Sequence, residues 1–220
     1  MKLTISEENY IKGIYHLEKE TGLVNTNSLA AEMQTRPASV TDMLKKLKIK
    51  KLLQYERYKG FKLTDTGKKI ALKIVRKHRL WEFFLVNKLG FEWDKVHVIA
   101  EELEHISSID LIQKLDNFLG NPSFDPHGDP IPDSNGKIPQ LHQLRLTGLP
   151  LQQIATVSSV TNQTPQMLEM LKHYNISIGT KLKVLKHFEF DTSMEIKVSK
   201  KTPCIISALV ANNVFVHHDH

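Results

Sequence analysis

The chain has 220 residues, 40% of them hydrophobic and 25% charged, with a formal net charge of +6. That length allows one or two domains with real cores, and no apolar run approaches the roughly 18 residues that a membrane span needs. The single cysteine, Cys204, excludes an intramolecular disulfide and a thiolate cluster, so any metal site must use His, Asp, Glu, amides or water. The opening MKLTISEENY resembles neither a secretory signal nor a transit peptide, and the expectation is a soluble cytoplasmic protein with no membrane partner.

The charge is unevenly spread. Residues 1–80 carry 18 Lys and Arg against 8 Asp and Glu, a net +10, while the remainder is net −4. A basic first third on a mildly acidic remainder points to polyanion binding by that third alone.

Taken in order, residues 6–20 have apolar residues at helical spacing (Tyr10, Ile11, Ile14, Leu17), Ser6 as a candidate cap and Gly22 as a stop. Residues 26–33 form a short second helix with Thr26 or Asn27 as cap. Pro37 suits the first turn of a third helix, 37–50, with Val40, Met43, Leu44 and Leu47 inward. Residues 52–64 turn near Lys59-Gly60 and predict a β-hairpin. A long helix follows over about 66–89, capped by Thr64 or Asp65 and ended by Gly90. A fifth helix is expected over 93–107 and a sixth over 108–119, with Ile109, Ile112, Leu115, Phe118 and Leu119 on its apolar side.

Residues 120–140 hold five of the nine prolines and three glycines, and are expected to be a linker or extended loop. Beyond them the pattern is β-rich. Strands are predicted within 149–161, 179–190, 193–201 and 204–217, with a short helix at about Pro165–His173, which together suggest a small β-barrel. His217, His218 and His220 read as a His-rich tail.

Helix, helix, turn, helix, hairpin is the order of a winged helix-turn-helix. In that geometry the third helix enters the major groove. Arg36, Ala38, Ser39, Thr41 and Asp42 then lie near base edges, and Lys45 and Lys46 near phosphate. The hairpin tip Arg57–Tyr58–Lys59–Gly60 forms a basic wing. A helical protein-interaction module with a basic surface is the blander alternative.

The stretch from His78 to His105 gathers imidazoles and carboxylates. His78 and Glu82 are four apart in one run. His97, Glu101, Glu104 and His105 fall within an arc of about 100° in the next, while Val96, Ile99, Leu103 and Ile106 fall elsewhere. Nitrogen and oxygen donors converging on one face can hold a divalent metal. A single such pair would be a surface salt bridge. The spacing His-x3-Glu-x2-Glu-His is not that of the zinc proteases.

The segments ENYIKGIYHLE, PASVTDMLKKL, YKGFKLTDTGKKIA, RKHRLWEFFL, WDKVHVIAEELEH and HGDPIP together resemble the diphtheria toxin repressor family of iron- or manganese-dependent regulators, over residues 1–140. The tail resembles, more weakly, the SH3-like, ferrous-iron-transport A-like barrel of longer members. The resemblance implies a mainly α protein with a β C-terminal part. Its domains are a winged helix-turn-helix (1–66), a helical metal-binding and dimerisation domain (67–140) and an SH3-like domain (141–220).

It further implies two metal positions per subunit. His78, Glu82 and His97 match the ancillary one, and Glu101, Glu104 and His105, completed by Asn9, match the primary one. Glu101 stands where iron-responsive members carry Cys, and oxygen there favours Mn²⁺ or Fe²⁺, with Mn²⁺ slightly preferred. Asn9 replaces Met or Asp. Lys12 replaces a glutamate ligand of the manganese regulators, which argues against a second metal bridged in their fashion. Gln163 lies where longer members place an amide or carboxylate, with Val160 in place of an expected acid.

The resulting expectation is a non-enzymatic homodimer that binds a pseudo-palindromic operator and represses manganese or iron uptake genes, with Mn²⁺ or Fe²⁺ as co-repressor. The alternatives are a metal-independent winged-helix DNA-binding protein and a metalloenzyme.

Overall fold

A computed structural model describes residues 2–22, 24–56, 60–140 and 143–218, with the side chain of His218 excepted. The wing residues Arg57, Tyr58 and Lys59, and the terminal His220, lie outside the described residues. The chain forms two compact units. The first runs to His78 and adds Glu101–Ile112 and Pro132–Lys137, and the second comprises Arg79–Ala100, Gln113–Ile131 and Ile138–His220.

In the first unit, α1 (Ile5–Thr21), α2 (Thr26–Glu32) and α3 (Pro37–Ile49) precede the hairpin β1 (Leu53–Glu56) and β2 (Gly60–Leu63). The N-cap of α1 is Thr4, not Ser6. Thr4 Oγ1 accepts from Glu7 N–H at 3.2 Å while Glu7 Oε2 accepts from Thr4 N–H at 2.9 Å, a reciprocal capping box. The cap of α2 is also earlier than expected, at Asn25 and not Thr26 or Asn27. A side chain caps best one residue ahead of the first helical turn, and periodicity alone leaves that register open.

Tyr10, Ile11, Ile14, Leu29, Val40, Leu44, Leu47, Leu52 and Leu63 share one core. Val24 adds a bridge to the hairpin, with Phe61 N–H donating to Val24 O at 2.8 Å. Gly60, at φ +103°, has no alternative there, because a Cβ would stand 2.3 Å from Val24 O.

Helix α4 (Asp65–Asn87) starts at Thr64, whose Oγ1 accepts from Gly67 N–H at 3.1 Å. It belongs to both units. Helix α5 (Val96–Leu103) is shorter than expected, and α6 (Ile109–Phe118) closely follows its expected span. Ile112, Leu115 and Leu119 are buried, whereas Ile109 and Phe118 are 85% and 66% exposed.

Residues 120–140 form a loop with no helix or strand, as one of the two expectations had it, and not a linker. Asp125 Oδ1 accepts from the N–H of His127 (2.8 Å) and of Asp129 (2.9 Å), and Asp125 N–H donates to Asp129 O. Asp133 repeats the device, its Oδ1 accepting from Asn135 and Lys137. Such carboxylate-closed turns need no periodicity. Each is tied to α4 within its own unit. Arg79 Nη1 donates to Pro130 O at 2.6 Å in the second unit, and Arg76 Nη1 to Pro132 O at 2.8 Å in the first.

The C-terminal part of the second unit is a six-stranded sheet. Its strands are β3 (Leu144–Arg145), β4 (Ile154–Val160), β5 (Lys181–His187), β6 (Met194–Val198), β7 (Cys204–Ile206) and β8 (Val214–His218), in the order β3-β8-β4-β5-β6-β7. All its pairs are antiparallel. Helix α7 (Pro165–His173) lies where expected. The run 204–217 is two strands, not one, because Ser207 caps a helical turn, α8 (Ala208–Asn212), by accepting from Val210 N–H. His217 is part of β8, paired with Thr156, and not tail. The sheet and α7 close over Leu146, Val157, Leu168, Leu182, Ile196 and Val216, and Trp93 packs against that core.

Candidate metal centre

The second unit holds a buried cluster that the spacing arguments did not single out. Glu82 on α4 meets Asp125 and His127 from the Asp125 turn, and one donor atom from each lies within 4.8 Å of the others. His127 Nε2 is 2.8 Å from Trp93 O, and a carbonyl only accepts, so Nε2 carries the proton. In the neutral ring Nδ1 then offers its lone pair. It faces Glu82 Oε2 at 3.8 Å, too far for a hydrogen bond. Neither His127 Nδ1 nor Asp125 Oδ2 has a hydrogen-bond partner, although both are buried.

Two neighbouring buried lone-pair atoms that accept no hydrogen bond, beside a buried carboxylate, would be costly in a purely structural cluster. They are what a cation with nitrogen and oxygen ligands requires, so the residues present fit Mn²⁺ or Fe²⁺.

The electrostatics agree. Burial, reinforced by the Asp129 and Glu82 carboxylates, pushes Asp125 up to about 7 against the pull of Arg79 and His127. Burial opposes charge on His127, but Glu82 and Asp125 outweigh it and raise its pKa. Both shifts favour a bound positive charge at the cluster, a proton in the absence of metal. Arg79 Nε stands 3.5 Å from Asp125 Oδ2.

Two expected ligands border this cluster. His97 Nδ1 is 3.4 Å from Glu82 Oε1, with a side chain 55% exposed. Gln163 turns its Nε2 to Asp129 Oδ2 at 2.9 Å, which fastens the start of α7 to the turn that carries His127. Val160 N–H donates to His127 O at 3.0 Å.

The first unit gathers the other expected ligands. Helix α5 ends at Leu103, so Glu104 and His105 stand in the following turn and not on the helix face that their spacing predicts. Glu104, fully buried, accepts from His78 Nδ1 at 2.6 Å, and Glu101 Oε2 is 3.7 Å from the same nitrogen. Burial works against the Glu104 charge, but His78 and Lys12 prevail and hold its pKa below the usual carboxylate range. His105 Nδ1 bonds Glu8 Oε2 at 2.7 Å. Asn9 Oδ1 is buried without a partner. His78 belongs to this unit, and Glu82 and His97 belong to the other.

Helical spacing gives no sign of Asp125 and His127, because they lie in a loop and not on a helix. The usable signal was Asp-Pro-His-Gly-Asp, in which a turn-forming Asp and a glycine bracket a histidine.

On α3, Val40, Leu44 and Leu47 are buried as expected and Met43 is half-buried, while Ala38, Ser39, Thr41, Asp42, Lys45 and Lys46, and Arg36 at its N-cap, are all exposed. Lys45 Nζ and Asp42 Oδ1 pair at 3.1 Å.

These features define a winged-helix protein with a buried carboxylate–imidazole cluster and a β-rich C-terminal domain. Three family models match successive segments of it. Residues 2–61 match the N-terminal DNA binding domain of the iron dependent repressors, residues 64–133 their metal binding and dimerisation domain, and residues 144–218 a FeoA domain. The chain belongs to this family, the diphtheria toxin repressor family of metal-dependent transcriptional regulators.

The HTH-type transcriptional regulator MntR of Bacillus subtilis (strain 168) is 36% identical over 116 residues, 53% of this chain and 81% of the relative. The iron-dependent repressor IdeR of Mycobacterium tuberculosis (strain ATCC 25618 / H37Rv) is 32% identical over 131 residues, 60% of this chain. That alignment spans 57% of the relative's length. A solved manganese-dependent transcriptional repressor, in complex with manganese, superposes with a TM-score of 0.86 at 32% identity, covering 96% of this chain and 98% of that one.

Proposed function

We propose that this chain is a metal-responsive DNA-binding repressor of manganese or iron uptake genes, with Mn²⁺ or Fe²⁺ as co-repressor. The observation that carries the metal reading is the pair of buried atoms that make no hydrogen bond, Asp125 Oδ2 and His127 Nδ1, beside Glu82. These three residues are the ligands, with His97 and Gln163 at the border. Glu82 on α4 and Asp125 and His127 on the turn would hold the ion, which would supply positive charge beside the two carboxylates.

The chain's own residues do the rest. Trp93 O fixes the His127 tautomer, Asp125 Oδ1 holds the turn through two backbone N–H groups, and Gln163 and Val160 tie the β-domain to that turn. Exposed residues of α3 read the major groove, and Lys45 and Lys46 meet phosphate. The exposed Ile109 and Phe118 on α6 support a homodimer that reads two half-sites. Metal acts through its preference for the DNA-competent state, so DNA tightens metal binding by the same factor.

The test is binding to DNA upstream of the chain's own gene and of metal-transporter genes, at one salt concentration. Mn²⁺ is titrated first, then Fe²⁺ without oxygen, then a chelator. Metal-dependent, chelator-reversible binding is expected. Affinity indifferent to metal would remove the sensor.

A further inference from the structure

The first unit's carboxylate cluster already contains a cation. Lys12 Nζ, on α1, lies 2.7 Å from Glu101 Oε1, 2.7 Å from Glu104 Oε1 and 2.9 Å from Glu104 Oε2. The Lys12 side chain is 13% exposed and that of Glu104 is 0% exposed. An ammonium has three donors, and three oxygens surround this one. One cation spanning two carboxylates, and touching both oxygens of one, is the arrangement that a metal ion would make with the same residues.

We infer that Lys12 is a built-in counter-cation that occupies the Glu101–Glu104 site in place of a metal. It latches α1 to the end of α5 without metal, so the chain takes one divalent ion per subunit. This inference rests on the reading that Glu82, Asp125 and His127 hold that ion. An ion entering beside Glu104 must first expel the ammonium. It must then hold two like charges close together in a place with little water, because Lys12 on its helix cannot move far. Asn9 adds to the barrier. It contributes an amide where a carboxylate would have supplied a further negative charge to offset Lys12. Replacing the ammonium by a carboxylate reverses both effects. It removes the occupant and adds a ligand.

The test is Mn²⁺ stoichiometry of the full chain by equilibrium dialysis, with calorimetry and a thermal melt on each variant. Wild type should bind one Mn²⁺ per subunit and Glu82→Gln none. Lys12→Glu should bind one more than wild type. Lys12→Met, which empties the site without adding a ligand, should lose the latch and melt below wild type in the absence of metal, and an unchanged metal-free melt would overturn the latch. Two ions on wild type, one remaining ion on Glu82→Gln, or no gain in a folded Lys12→Glu would each overturn the inference. Should Lys12→Glu fail to fold, the wild-type and Glu82→Gln counts decide alone. Zero ions on wild type with one on Lys12→Glu would instead sink the metal reading of Glu82 and leave the latch standing.

Discussion

His127 and Trp93 are joined twice. Their rings stack at 5.5 Å with planes 28° apart, and the imidazole Nε2 donates to the carbonyl of the same tryptophan. The stack and the bond together fix which nitrogen faces Glu82. His127→Ala should therefore remove Mn²⁺ uptake at this site and make DNA affinity indifferent to Mn²⁺. Anisotropy titrations of labelled DNA with and without Mn²⁺ check this. A retained metal response would mean that the ligand lies elsewhere.

Asp125 sets a pH dependence. Its folded pKa of about 7 lies above the ordinary 3.8, so the folded metal-free state holds a proton that the unfolded chain gives up. That contribution to stability is complete below about 3.8 and is lost as pH rises through 7. Metal binding runs the other way, since the ion must displace the proton. Mn²⁺ affinity should fall by about tenfold for each pH unit below 7 per proton displaced, and level off above. Dialysis across pH 6 to 8 measures it. A flat profile would remove Asp125 from the ligand set.

Asp125→Asn separates the carboxylate's two roles. The amide oxygen can still accept from His127 and Asp129, so the turn should persist. Without a buried acid to ionise, the metal-free variant should melt above wild type at pH 8, while losing Mn²⁺ binding. Parallel melts with and without Mn²⁺ decide it, and a lower melt without metal would show that the turn needs the charge.

Gly128 has φ +81°, and a Cβ there would stand 1.8 Å from Ser158 O on β4. Gly128→Ala should cost about 2 kcal/mol or more in urea unfolding and weaken Mn²⁺ binding with it, because the same turn carries His127. Loss of stability with unchanged metal affinity would uncouple turn and site.

For α3, Lys45→Ala should weaken binding about equally to all DNA sequences and lower the slope of log affinity against log salt by about 1. Its pairing with Asp42 is no obstacle, since both side chains are about 70% exposed and such a pair is worth roughly 0–1 kcal/mol. A change in sequence preference would place Lys45 at a base edge instead.

What the sequence determined by itself was local. Helical spacing, Pro37 at a first turn and the buried stripe Val40, Leu44, Leu47 fixed α3 and its outward face, because a helix's bonds and faces repeat within four residues. The family resemblance of residues 1–140 was legible for the same reason, in ordered short segments. Tertiary structure decided the rest. Glu82 and His127 are 45 positions apart and meet only because a carboxylate closes the Asp125 turn and a glycine lets it lie against Ser158. Glu104 and His105 left their expected helix face because α5 ends at Leu103. Lys12 was legible as a departure, but its place between Glu101 and Glu104 depends on how α1 packs. Periodicity carries no information on such contacts, since they arise from distant segments competing for the same buried space.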